Sequence, residues 1–222
     1  MRSFRDVGSF VGQNWRMASG GSLVGEWSRA AKSALVAAGW RKRGGADIFT
    51  SALDDDTLAW VGLNRATKYT PIAIWPIVGV RHEPTMRLVD ALTASAPATA
   101  PTLCHPLQYL GGRKEKALQV GEQLDIEGAT KELMDLVNRF ALPFALSLQD
   151  PERQLEALAA RVWLPVPEYA IARRPAMLAV LGRRAEALVA LDEELATLGA
   201  RSDAAAEHYR NFGSALRQHL RG

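Results

Sequence analysis

The sequence is short of cysteine, since Cys104 is the only one among 222 residues. A single thiol excludes an internal disulfide and any zinc site built mainly from thiolates. A chain of this length can bury enough apolar surface to fold without a disulfide or a structural metal. Because proteins of oxidising compartments commonly carry paired cysteines, the sequence predicts a cytoplasmic protein.

Long apolar runs are also missing. No stretch of the sequence reaches the roughly 18 consecutive apolar residues that a membrane-spanning helix needs. Residues 1–21 lack the continuous apolar stretch of a signal peptide, and we interpret them as an N-terminal arm. We therefore expect no membrane partner and no secretion.

The sequence lacks the glycine-rich loops of dinucleotide and nucleoside-triphosphate sites and the GxSxG turn of hydrolases. No two of its four histidines have the i, i+4 spacing that lets one helix face bind a metal. Cys104 and His105 are adjacent, so in a strand their side chains would point to opposite faces. We predict no catalytic residues, no metal and no cofactor.

Charge of one sign is not concentrated either. The chain has 27 basic and 24 acidic residues, and its net charge of +3 is spread along the sequence. A protein specialised for nucleic acid usually carries a concentrated basic patch. Nucleic-acid binding is therefore possible but is not the favoured reading.

What is present is an α+β pattern in the first half. Apolar residues recur at helical spacing from Leu23 to Ala38, with Ser22 as the predicted N-cap and Gly39 as the end. Three strands are predicted at Ile48–Leu53, Leu58–Thr67 and Ile72–Val80, and the acidic triplet 54–56 forms the turn between the first two. Because Pro76 cannot donate a sheet hydrogen bond, we expect an edge strand or a bulge there.

After the third strand, a helix at Glu83–Leu92 is followed by the proline-rich linker 95–101, and Leu103–Leu110 is a candidate fourth strand.

The second half is predicted to be helical. From Ala129 onward apolar residues recur at helical spacing, interrupted by turns, the first of them at 142–144. The predicted helices after that turn are 150–162, 170–181, 184–198 and 203–220. The expected fold is a small antiparallel sheet of three to five strands with flanking helices, followed by a C-terminal helical bundle. The regions are 22–128 and 129–222, which can also form one continuous domain.

Two stretches resemble known families. Residues 177–198, MLAVLGRRAEALVALDEELATL, resemble one helical hairpin of a tetratricopeptide repeat, but a single copy favours an ordinary helical pair. The segments AAGWRKRGGADIFT, LAWVGLN and LVNRFALPFALSLQD follow a helix in an order that resembles the bacterial domain-of-unknown-function family 4304. This resemblance implies a small α+β protein without established activity, some relatives of which are suspected immunity proteins against toxins.

Aromatic and basic side chains are concentrated on the second and third predicted strands and just after them. Alternation places Trp60 and Asn64 on the face opposite Arg65. Tryptophan and arginine are enriched at the energetic centres of protein interfaces. The alternative is that the tryptophans fill the core and the basic residues are ordinary surface charges. The candidate binding residues are Trp60, Asn64, Arg65, Lys68, Trp75, Arg81 and His82.

Three functions remain open at this level. The favoured one is a non-enzymatic protein-binding module, with an immunity-like role as one form, which uses the sheet face or the strand with Pro76. The second is weak nucleic-acid binding through Arg41, Lys42, Arg43 and the strand-borne basic residues. The third is an enzyme whose dispersed residues would have to converge in one cleft, namely Asp47, Asn64, Arg81, His82 and His105. The sequence does not determine the oligomeric state.

Overall fold

The fold is a six-stranded antiparallel sheet followed by helices. A computed structural model describes residues 20–44, 47–66, 72–93, 99–110, 117–121 and 125–222. The sheet order is β1-β2-β3-β4-β5, and β6 pairs with β4 beside β5. The strands are β1 Arg41–Arg43, β2 Ile48–Ala52, β3 Thr57–Ala66, β4 Ile72–His82, β5 Leu103–Pro106 and β6 Leu118–Val120.

The helices flank the sheet and make up the second half of the chain. In the described residues none of them is long and apolar enough to cross a membrane. They are α1 Gly20–Ala37, α2 Glu83–Thr93, α3 Leu107–Leu110, α4 Ile126–Leu136, α5 Leu142–Ser147, α6 Pro151–Ala159, α7 Ala170–Val180, α8 Arg184–Ala196 and α9 Ala204–His219. A π-helical turn, Val137–Ala141, joins α4 to α5, and a 3₁₀ turn, Pro167–Tyr169, precedes α7. The predicted α+β class with a helical C-terminal region is confirmed.

Helix α1 ends where the sequence predicts. Gly39 has φ +87°, and the amides of Gly39 and Trp40 donate to the carbonyls of Val36 and Leu35. These two bonds form a Schellman motif, which glycine favours because it adopts positive φ without steric cost. The start of the helix differs from the prediction, since Ser22 lies within α1 rather than at its N-cap.

The acidic triplet forms the predicted turn between β2 and β3. A carboxylate oxygen of Asp54 accepts hydrogen bonds from the amides of Asp56 and Thr57, at 2.9 and 2.7 Å. An aspartate that bonds the backbone two or three residues ahead stabilises a turn by itself. The tip of the next hairpin, residues 67–71, lies outside the described residues.

The expectation that Pro76 marks an edge strand is wrong, because β4 is central. It pairs with β3 on one side and with β5 and β6 on the other. Pro76 is opposite Leu63, whose amide donates to Asp47 of the β2 side, so the backbone nitrogen of Pro76 faces away from β3. On that side β6 pairs with Ile72–Ile74 and β5 with Ile77–Val80. The proline therefore lies between two short partner strands, where no amide is needed.

The two faces of the sheet have different surroundings. The inner face carries fully or almost fully buried side chains and packs against α5 and the π-helical turn. These side chains include Phe49, Val61, Leu63, Ile74 and Val78. The outer face carries Ile48, Trp60, Asn64, Trp75 and Arg81, and is covered at one end by α2 and residues 99–102. The predicted linker 95–101 is described only from residue 99, and this part lies over the outer face.

The predicted turn at 142–144 is wrong, since the chain stays helical from Ile126 to Ser147. The Leu142 amide donates to the carbonyl of Val137, five residues back, instead of four. Pro143, which has no amide to donate, follows directly after this wider turn at the start of α5. The π-helical turn thus absorbs the proline without a break in the helix.

Other segments follow the prediction more closely. Asp150 caps α6 through the amide of Glu152, and Pro151 is the first helical residue. Gly182, with φ +75°, joins α7 to α8 in a helical pair. The candidate fourth strand is only half correct, because β5 ends at Pro106 and α3 follows. One hydrophobic cluster includes residues from α1, the sheet and α4 to α9, so the two regions share a core.

Candidate binding cleft on the outer sheet face

The predicted site residues are divided between the two faces of the sheet. Trp60, Asn64, Trp75 and Arg81 lie on the outer face. The other two described residues, Arg65 and His82, occupy the inner face. Lys68 lies outside the described residues. The division of Trp60 and Asn64 from Arg65 agrees with the alternation predicted along β3.

Trp60 is buried and fixed along the strand. Its Nε1 donates to the carbonyl of Thr99 at 2.7 Å, so the segment that covers the outer face holds the indole. The ring lies over Gly62, where an added Cβ would be 2.3 Å from Cη2 of Trp60. Gly62 is therefore required for the ring to lie along the sheet. Across the strands Gly62 faces Ile48 and Ile77.

Trp75 is the exposed counterpart of Trp60. It retains 38 % of its accessible surface although it lies on the central strand. Its neighbours on the outer face are exposed Asn64 and half-buried Ala73, Ile77 and Gln119. We call these five residues the Trp75 surface. All five are uncharged, although charged residues make up 23 % of the chain.

The Arg65 side chain contacts other parts of the protein. Its guanidinium forms an ion pair with the Asp47 carboxylate at 2.6 Å and donates a hydrogen bond to the Ser28 hydroxyl of α1. This arrangement ties β3 to α1 and to the loop before β2. Two residues of the basic triplet are also paired, Lys42 with Asp47 at 4.0 Å and Arg43 with Glu83 at 2.6 Å. Of the basic side chains proposed for nucleic acid, those that the structure describes therefore have partners within the protein, except exposed Arg41.

Arg81 is buried in a charge network that we call the closed end of the outer face. Its Nε donates to Glu83 at 2.9 Å, and its Nη2 lies 3.8 Å from Asp90. A further bond from Nη1 reaches the carbonyl of Ala100. Burial opposes ionisation of Glu83, but the arginines Arg81 and Arg43 outweigh it and lower the pKa of this carboxyl. Such a network of opposite charges is a typical structural element.

His82 is buried on the other face and bound by threonines. Its amide donates to Oγ1 of Thr102, and its Nδ1 lies 2.7 Å from Oγ1 of Thr85. Burial lowers the pKa of the imidazole, against the opposing effect of the nearby carboxylates of Asp56, Asp54 and Glu83. The side chain is therefore a neutral core group near neutral pH.

A cleft of about 520 Å³ opens between the closed end and the Trp75 surface. Its walls come from β2, β3 and β5, from residues 99–101, and from the segment that leads into α7. The lining residues are Ile48, Trp60, Thr99, Ala100, Pro101, Cys104, Pro165, Tyr169 and Arg173. The volume is within the range of small-molecule sites, which are mostly apolar with a few polar groups.

Arg173 is the charged group of this cleft. The residue is 6 % exposed, and its Nη1 donates to the carbonyl of Thr102 at 3.0 Å. Its guanidinium carbon lies 4.3 Å from the centre of the Tyr169 ring. Among the described residues no carboxylate is within ion-pair distance of it. Burial, together with the nearby Arg81, lowers the pKa of Arg173.

The chemistry of the cleft favours binding over catalysis. Burial raises the pKa of the Cys104 thiol to about 11, despite the opposing effect of Arg173, so the thiol is protonated and a weak nucleophile. The residues of the dispersed enzyme site do not converge, since Asn64 and Arg81 lie on one face and His82 and His105 on the other. No group of three metal-binding side chains occurs in the described part of the chain.

Sequence reasoning missed Arg173 and Tyr169. A signal exists, because Arg173 lies three residues after Ala170 and four before Met177, so all three share one helix face. Ala170 and Met177 are fully buried, and an arginine on their face is a buried charge. The sequence does not show whether a carboxylate lies beside this arginine, because that depends on how distant segments are placed in the fold.

Comparisons of the chain with protein-family models, with curated proteins and with solved structures found no match. The resemblance to family 4304 therefore stays a prediction.

Proposed function

We propose that this chain is a non-enzymatic protein-binding module that binds its partner through the Trp75 surface. The observation that carries this proposal is the 38 % exposure of a tryptophan on the central strand of the sheet, where it pairs with Asn64 of β3. Tryptophan is the residue type most enriched among interface hot spots, where it is buried on binding. The exposed ring leaves apolar surface in water, which is unfavourable in free energy unless a partner covers it.

The chemistry of the Trp75 surface supports a neutral, apolar partner. Interface centres are depleted of charge, and the five residues of this surface carry none. Asn64 faces Trp75 directly across the strands and supplies a donor and an acceptor beside the ring. The partner is therefore an uncharged apolar patch of another protein, with a polar group opposite Asn64.

The rigidity of β4 supports the same proposal. Its backbone is paired with β3 from Ala73 to His82, and on the other side with β6 at Ile72–Ile74 and with β5 at Ile77–Val80, so that Trp75 pairs with Asn64 of β3. The Trp75 backbone is thus fixed before a partner arrives, which reduces the ordering cost of binding.

The resemblance to family 4304 proposes a more specific partner. An immunity-like role would make the partner a toxin whose activity the complex blocks. A gene for a secreted or transferred toxin beside the gene for this chain would support this form of the proposal.

A photo-crosslinking experiment tests the proposal. Benzoylphenylalanine replaces Trp75 in one variant and Val36, which is 49 % exposed on α1, in the control variant. Irradiation in the native host should crosslink one protein through position 75 and not through position 36. The purified partner should then bind Trp75→Ala at least about tenfold more weakly than the wild-type chain, which corresponds to one hot-spot residue.

Other results would overturn the proposal. Crosslinks only to a second copy of the chain would assign the surface to a homodimer. Equal crosslinking at positions 75 and 36, or unchanged affinity of Trp75→Ala, would show that Trp75 has no special role in binding.

A further inference from the structure

Arg173 is a cation held in the interior, and the part of the chain that the structure describes provides no counter-ion for it. The ionisable groups that face it are the Cys104 thiol, the Tyr169 and Tyr209 phenols, and a second cation, Arg81. None of these groups is a carboxylate, and burial raises the pKa of the thiol to about 11 and also raises that of the Tyr209 phenol, so none of them balances the guanidinium. A buried charge without a partner is costly, because desolvation is not offset by a nearby opposite charge.

The contacts of Arg173 leave donors unused. Among the described residues its one hydrogen bond to protein uses Nη1, and its guanidinium carbon lies over the Tyr169 ring. Nε and Nη2 have no hydrogen-bond partner among the described residues. A guanidinium presents its donors in a planar fork that matches the two oxygens of a carboxylate. Nε and Nη2 of Arg173 are thus available as donors at the wall of the cleft.

The rest of the cleft suits an apolar group. Ile48, Trp60, Pro101 and Pro165 line it, and the Trp60 ring is fixed by Thr99 and Gly62. A phosphate dianion would need several cations or amide donors to offset its desolvation, and the cleft offers one cation. A singly charged carboxylate matches that one cation.

We propose that the cleft binds a carboxylate attached to an apolar or aromatic body, with Arg173 as its counter-ion and Trp60 as the surface on which the body packs. The site does not depend on the Trp75 surface and takes a ligand of its own. The recognised chemistry can come from a free small acid or from the C-terminus of a polypeptide with a terminal aromatic residue.

Calorimetric titration of the full chain with matched probes tests this site. The free-acid probes are 3-phenylpropionate, indole-3-propionate and octanoate, each compared with its uncharged amide. The polypeptide probe is Gly-Gly-Ala-Ala-Phe with a free or an amidated C-terminus. At least one acid should bind at millimolar concentration, and its amide should bind at least about tenfold more weakly, since charge-assisted hydrogen bonds are lost.

Variants of Arg173 connect the binding to the cleft. Arg173→Met should lose the preference for the acid over its amide, and Arg173→Lys should keep part of it. Arg183→Met, at a half-buried position where the arginine pairs with Glu152 and Glu186 away from the cleft, should bind like the wild-type chain. If Arg173→Met does not fold, the comparison of acid with amide binding on the wild-type chain and on Arg173→Lys still tests the proposal.

The comparison of free-acid probes with the peptide probe also identifies the source of the carboxylate. Binding of a free acid but not the peptide assigns a small-molecule site, and the opposite result assigns a polypeptide terminus. Equal binding of acid and amide would overturn the proposal. The same holds if no probe binds the wild-type chain, or if Arg173→Met binds the acid as tightly as wild type.

Discussion

Two buried arginines lie on the outer side of the same sheet, and the protein surrounds them differently. At the closed end Arg81 meets the carboxylates of Glu83 and Asp90 within 4 Å. In the cleft Arg173 has a carbonyl and an aromatic ring but no carboxylate among the described residues. Where the fold supplies the counter-ion, the arginine serves the structure. Where it does not, the charge is available to a ligand.

The covering of the two regions differs in the same way. Helix α2 and residues 100–102 close the first region and bond its polar groups. The second region borders a cleft of about 520 Å³ and continues past Trp60 towards the exposed Trp75. The difference indicates that one end of the outer face holds the domain together while the other is kept for binding.

The largest expected effect is at the closed end. Arg81→Met removes the cation that bonds Glu83 and leaves this buried carboxylate with its more exposed partners Arg43 and Arg87. The free energy of unfolding should fall by about 3–5 kcal/mol in urea denaturation, the usual cost of breaking a buried ion pair. The double variant Arg81→Met with Glu83→Met should recover part of this loss. A loss below about 1 kcal/mol in the single variant would contradict the structural role of the network.

A smaller effect is expected at the floor of the cleft. Gly62→Ala places a Cβ 2.3 Å from the Trp60 ring, which must move. We expect a loss of about 1–3 kcal/mol, typical of overpacking, together with a shift of tryptophan fluorescence.

Gly25→Ala is the matched control for Gly62→Ala. Gly25 lies within α1, where an added Cβ meets only the far end of Arg29 at 4.0 Å. Alanine there should stabilise the chain by about 0.5–1 kcal/mol, because glycine is a poor helix former. Equal effects of the two substitutions would show that Trp60 is not held against Gly62.

The smallest effect is the pH dependence of stability that comes from His82, the last residue of β4. Burial lowers the pKa of His82 below the ordinary 6.5, so on acidification the unfolded chain binds a proton first. The stability that His82 contributes is therefore present above pH 6.5 and is lost as the pH falls below it. Unfolding measured at several pH values should show a shallower loss for His82→Asn than for wild type. Exposed His208→Asn should retain the wild-type slope, and an identical slope for all three chains would contradict the assignment.

Local patterns predicted much of the fold. The helical period of α1 with Gly39 at its end, the strands β2 to β4, and Asp150 with Pro151 at the start of α6 all follow from residues close in sequence. The short strands β1 and β6 were missed because three residues carry no period, and only their partners β2 and β4 define them.

The errors at Pro76 and Pro143 have one physical origin. A proline removes an amide hydrogen bond, and sequence reasoning assumes that the element must then end or lie at an edge. In the structure Pro76 lies between two partner strands, and Pro143 follows a π-helical turn. Both accommodations depend on the register of neighbouring segments, which the local sequence does not contain.

The candidate site was predictable only in part. Strand alternation placed Trp60 and Asn64 on one face and Arg65 on the other, and the structure agrees. Whether a tryptophan is buried or exposed depends on residues 99–101, which cover Trp60 and not Trp75. Arg173 could not be assigned, since its missing counter-ion is a property of distant segments brought together by folding.

The stability of Arg173→Met, measured by urea unfolding without added ligand, tests the central distinction between the two arginines most directly. If Arg173 is kept for a ligand, removing its uncompensated charge should leave the free energy of unfolding within about 1 kcal/mol of wild type or raise it. A loss as large as that of Arg81→Met would show that both arginines hold the fold together, and would contradict the account.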